Sequence, residues 1–267
     1  MTALGRLRRV VLALLIGVAG QATMAQGAPT SKLGVTLTPE RLGASTTIHF
    51  SFQLHGEHAR VPPPLTGIEL LYPINLGLIT SGLGIDTCSP TTLEAIGPQG
   101  CPADSLMGHG SALVEIPIGP ETIEEPGQIT TWMGPVQDGH LALLFYAEGE
   151  SPVSAQLIFT SQILEAPPPY GGNLDTNVPI IPGLPEGPDA TVVQMHATLG
   201  SQGITYYTHS RGKKVGYQPD SLRLPHVCPR GGFPFAAAFT FADGSHSSAH
   251  AAVPCPPAQR HKPTHRR

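Results

Sequence analysis

Positive charge is nearly missing from the centre of this chain: no lysine or arginine occurs between Arg60 and Arg211. The same interval carries 15 acidic residues, whereas Arg211–Arg267 holds nine basic residues and only Asp220 and Asp243. An acidic middle repels phosphate backbones, so no nucleic-acid partner is expected. Aromatics are scarce at 6%, with Trp132 the one tryptophan, and charged residues make up only 13%. A long-helix protein needs more charge than this, and a disordered chain would carry less than the 40% of hydrophobic residues found here.

Familiar catalytic signatures are also missing. The pieces nearest to a nucleophile elbow, Gly108–Ser111 and Gly200–Gly203, have the wrong spacing. Neither His-Glu-x-x-His nor a phosphate-cradling loop ending in Gly-Lys-Ser or Gly-Lys-Thr occurs. No cofactor is implied. No asparagine opens an Asn-x-Ser or Asn-x-Thr sequon.

Turn formers are abundant instead: 31 glycines and 29 prolines account for more than a fifth of the 267 residues. Arg6, Arg8 and Arg9 precede an apolar stretch at Val10–Val18 and then small residues through Ala25, Gln26 and Gly27. This layout predicts a signal peptide over 1–27, its apolar core too short to span a hydrocarbon layer of about 30 Å. A secreted or extracytoplasmic, cell-surface-associated protein without a transmembrane span follows. The four cysteines then fall in an oxidising compartment, and Cys88–Cys101 with Cys228–Cys255 is the pairing that closes the smaller loops. A zinc site is disfavoured because no pair has close CxxC spacing.

Ser45–Leu54 alternates Ile48, Phe50, Phe52 and Leu54 with polar residues, which is a strand with one buried face. Further strands are expected at Leu65–Tyr72, Ala112–Ile118, Gln128–Met133, Leu141–Tyr146, Ala155–Ile163, Thr191–Leu199 and Ile204–Thr208. Asp138-Gly139 predicts a tight hairpin. Ser89, Pro90 and Gly97 predict a short capped helix inside the first cysteine loop. Thr36–Ala44 reads as a turn, and Ala166–Pro188, with seven prolines in 23 residues, as an irregular excursion. The expectation is an all-β antiparallel sandwich with Gly/Pro-rich loops and two disulfides, one domain over 28–257. Division near 120 or within 166–190 is the alternative, and 258–267 forms a disordered basic tail.

For function, the sequence supports a structural, adhesive or ligand-presenting β-domain serving a cell-envelope component or protein partner through loops 73–110 and 166–190. The alternatives are an extracellular hydrolase of unassigned substrate and a carbohydrate-binding module whose platform would be Trp132, Tyr170 or Tyr207. Phe233–Phe241 and Ser245–Val253 form a hairpin in which a two-residue Asp243-Gly244 turn would set Phe241 opposite His246 and put His246 and His250 on the Phe face. These two histidines are the weak candidates for metal ligands, with His49, His55 and His58 as a second cluster. Glu121, Glu124 and Glu125 between two prolines, and Glu148 with Glu150, read as exposed acidic turns.

Overall fold

The computed structural model describes residues 28–149, 155–183 and 187–257. The expected leader and basic tail lie outside them. The described residues are mostly antiparallel β, with strands β1 (Thr30–Thr38), β2 (Ser45–His55), β3 (Leu65–Pro73) and β4 (Gly77–Leu78) before helix α1 (Pro90–Ile96). After it come β5 (Leu106–Ile118), β6 (Glu121–Met133), β7 (Ala142–Gly149), β8 (Ala155–Glu165), β9 (Tyr170–Asn177) and β10 (Thr191–Leu199). The last are β11 (Tyr206–Ser210), β12 (Lys213–Tyr217), β13 (Leu222–Arg223), β14 (Phe233–Phe241) and β15 (His246–Val253). Among the described residues no helix is long and apolar enough to cross a membrane.

Thirteen strands form one sheet in the order β15-β14-β3-β9-β8-β7-β6-β5-β10-β2-β13-β4, with β1 paired to β2, while β11 and β12 form a separate ribbon. The sheet folds over on itself, so that β1 runs beside β15 and Ser247 Oγ donates to Ser31 Oγ at 2.8 Å. Its two layers therefore face each other across one apolar interior, as in a sandwich, but belong to a continuous sheet. That sheet runs through position 120 and includes strands on both sides of 166–190. The core draws Phe50, Phe52 and Leu54 from β2, Leu70 from β3, Phe145 from β7, Met195 from β10 and Phe239 from β14.

The alternation in β2 puts Ile48, Phe50, Phe52 and Leu54 inside, as expected. Ser89 Oγ accepts from Thr92 N–H, Pro90 opens α1, and Gly97 ends it. Asp138 and Gly139, both at positive φ, turn the chain between the bridged pair Gln137 and His140. Both expected disulfides are present, with Cα atoms 5.1 Å apart for Cys88–Cys101 and 5.8 Å for Cys228–Cys255.

Three local expectations need correction. Most of the segment read as a turn at Thr36–Ala44 follows or ends β1, which the sequence reading missed. The excursion at 166–188 contains β9, an interior strand between β3 and β8. Its composition, Tyr-Gly-Gly-Asn-Leu-Asp-Thr-Asn, hides it; Gly172 is needed there because a Cβ would stand 2.0 Å from the Tyr72 hydroxyl. The β14–β15 register is shifted by one residue from the expected one, pairing Thr240 with His246 and Ala236 with His250. Gly244 N–H bonds Phe241 O and Phe241 N–H bonds Ser245 O, so three residues form the loop, with Gly244 at φ +81°. That is the three-residue hairpin with a left-handed glycine, and because side chains alternate, one residue of slip reverses the face.

Candidate functional site

The interior is not filled evenly. At one end an apolar cavity of about 280 Å³ is lined by Ile48, Leu70, Tyr72, Leu143, Leu199 and Phe235, among others. Leu78 and Thr80, from β4 and the loop after it, line both this cavity and an outer groove of about 570 Å³ that also holds Asn75, Ser81, Arg223 and His226. The groove mixes polar and apolar surface in near-equal measure, whereas the cavity is almost wholly apolar, and no carboxylate pairs with Arg223 among the described residues. The His226 ring is seated over Gly43, whose added Cβ would meet Nδ1 at 2.4 Å. An aliphatic tail suits the cavity, and an anionic head suits the groove.

A second apolar cavity, of about 80 Å³, lies at the opposite end of the same strands. Phe50 and Leu143 line the first, whereas Phe52 and Ala147, further along β2 and β7, line the second. Between them a void of about 20 Å³ is walled by Phe50, Phe52, Phe145, Phe159 and Met195. The second cavity arises from a row of small residues running directly across three strands: Ala112 pairs with Gly127, and Gly127 with Gly149. Two bulges help to shape its wall. The register shifts at Thr66 on β3 and Val193 on β10 let Leu65 with Ile68, and Val192 with Met195, line one cavity despite their odd spacing.

Glu125 on β6 reaches into this second cavity. It is only 6% exposed, and its Oε1 has no hydrogen-bond partner among the described residues. Oε1 occupies the space over Gly149, where an added Cβ would come within 2.3 Å of it. Burial raises the carboxyl pKa. The acidic-turn reading of 121–125 is thus corrected: the turn is Gly119-Pro120, and strand β6 begins at Glu121. Within it Ile123, Glu125, Gly127 and Ile129 share a parity, and that parity is the signal from which the inward aim of Glu125 could have been read.

The remaining sequence candidates scatter. His246 and His250 point outward on β15, away from the phenylalanines, because of the one-residue slip; Thr240 Oγ1 lies 3.2 Å from His246 Nδ1. His49 is held at 3.0 Å through each ring nitrogen by Thr198 Oγ1 and Gln202 Oε1, with no carboxylate in that set of bonds. No group of three or more His, Cys, Asp or Glu side chains poised for a metal occurs among the described residues. Trp132 is no sugar platform: it is buried against Cys88, Leu93, Leu144 and Tyr146, with Nε1 donating to Thr130 Oγ1. Tyr170 is half-buried at the start of β9, and Tyr207, 49% exposed, lies on the ribbon with Lys214 Nζ 4.2 Å from its ring centroid. The three aromatics occupy three separate elements.

Comparison with protein-family models, curated proteins and solved structures gives no match.

Proposed function

We propose that the protein is an exported, envelope-associated β-domain that binds and presents an amphiphile, holding an aliphatic tail inside the sheet and an anionic head at the Arg223 groove. The observation that carries this reading is the apolar cavity of about 280 Å³ that shares Leu78 and Thr80 with a polar groove. Closely packed interiors leave few voids larger than a water molecule, so a space of this size and lining supports a ligand-binding reading. The two disulfides are consistent with export.

Equilibrium dialysis of the mature protein against labelled decanoate tests the reading. Saturable binding is expected, weakened about tenfold by L199F, which fills the cavity, and weakened by R223Q for decanoate but not for decanol. Absence of binding at millimolar decanoate, or equal binding by a folded L199F variant, would sink it.

An adhesive role is supported by a separate observation. The β11–β12 ribbon stands apart from the main sheet, with Tyr207, Lys213, Lys214, Val215 and Tyr217 exposed. An exposed two-stranded ribbon offers a partner a free strand edge. Replacing 208–215 by a short glycine turn should release the protein from the envelope fraction if this surface is the attachment; unchanged retention would exclude it.

A further inference from the structure

Glu125 raises a different question from the decanoate cavity, because its Oε1 is buried without a hydrogen-bond partner among the described residues. A carboxylate taken out of water requires either a proton or a cation beside it. Lysine and arginine are absent from Val61 to Ser210, which includes β3 and β5–β10, and no ion pair to Glu125 forms among the described residues. Oε1 is buried and unpartnered among the described residues, and Ala112, Gly127, Ala147, Phe159 and Met195 wall the space before it; Glu148 also lines it, with its Oε1 accepting from Gln156 Nε2 at 3.4 Å on the exposed side. The row of small residues and the two bulges keep that space open on the inner face of the sheet.

From the buried, unpartnered Oε1 of Glu125 facing this apolar cavity, we propose a second ligand site that takes a short alkylammonium group. The ammonium would donate a charge-assisted hydrogen bond to Oε1, and a chain of about two carbons would lie along the Ala112–Gly127–Gly149 row. The size is set by volume: an apolar cavity of ~150 Å³ holds benzene, so about 80 Å³ admits a smaller body. The charge is set by the absence, among the described residues, of a cation paired with the carboxylate. Gly149 belongs to the site because it leaves Oε1 its place.

The experiment is calorimetric titration of the mature protein with ethylammonium and ethanol, with amide chemical shifts of Gly127 and Gly149 followed by NMR. Ethylammonium should bind, shift both amides and bind E125Q about tenfold or more weakly, while ethanol discriminates little between the two proteins. A112L, which fills the cavity and leaves the carboxyl in place, should abolish the binding and the amide shifts. Ethanol binding as tightly as ethylammonium to the wild type, equal ethylammonium affinity in folded E125Q, or no shift at either glycine would overturn the proposal. Decanoate binding measured on the same E125Q sample keeps the two sites distinct: it should be unchanged, so its failure speaks only to the Arg223 reading.

Discussion

The ring of Phe52 on β2 meets the ring of Phe239 on β14 edge-on, with centroids 5.0 Å apart and planes at 60°. The two strands stand far apart in the order of the sheet and touch only because it folds over on itself. Phe52 also lines both the small central void and the Glu125 cavity, so this contact is part of what separates the two ends of the interior. Truncating Phe239, which is fully buried, to alanine removes its transfer free energy and leaves a hole that rigid neighbours cannot close. F239A should destabilise the protein by about 3–5 kcal/mol, measured as a lower urea midpoint at unchanged slope.

Tyr206 closes the base of the β11–β12 ribbon against the main body. Its fully buried hydroxyl donates to Leu106 O at 2.9 Å and accepts from Gly84 N–H at 2.9 Å. Burial is the main cause that pushes its pKa up to about 12, partly offset by the Gly84 bond. Y206F keeps the ring but leaves a donor and an acceptor without their partner, which should cost about 1–3 kcal/mol. In an alkaline absorbance titration the last phenol to ionise in the wild type should be missing from the variant.

The Cys228–Cys255 bridge closes a segment of 27 residues containing the whole β14–β15 hairpin. That hairpin packs on β3 through β14 and runs beside β1 through β15, so loosening it opens the join of the sheet. Chain entropy alone assigns the bridge about 3–4 kcal/mol. The double variant C228S/C255S should melt well below the wild type, and hydrogen exchange should quicken first in β14, β15 and β1. Uniform protection across these strands would show that the hairpin does not depend on its staple.

What the sequence disclosed depended on how local the determining interaction is. The β2 alternation, the Ser89–Gly97 helix and the Asp138-Gly139 turn each rest on neighbours within a few residues, and each formed as read. Strand β9 is held by partners on β3 and β8, and its glycines and polar residues suit the space those partners leave rather than any strand propensity. The His246 and His250 faces depended on whether two or three residues make one turn, a choice set by Gly244 and the bonds of Phe241 with Ser245. The row Ala112, Gly127 and Gly149 cannot be seen before the register of three strands is known. Glu125 was legible only in part, by parity with Ile123 and Ile129, once Gly119-Pro120 is recognised as the turn.

Glu125 also fixes how stability should change with pH. Its carboxyl pKa is raised in the folded protein by burial, so between the unfolded value of about 4.3 and the folded value the native state binds more proton than the unfolded chain. Stability from this group therefore falls as pH rises through that window, and the loss is complete once pH exceeds the folded pKa. The sign is opposite to that of Asp243, whose pKa is lowered by bonds from the Ser245 hydroxyl and backbone N–H and which contributes stability above its unfolded pKa, lost as pH falls through its folded one. E125Q cannot ionise and presents a side chain of similar shape, so urea midpoints of wild type and variant should draw apart as pH is raised from 4 to 7, with the variant the more stable at neutral pH. Adding ethylammonium at pH 7 should narrow that gap by stabilising the wild type alone, because a ligand cation beside Oε1 supplies what the proton supplied at lower pH.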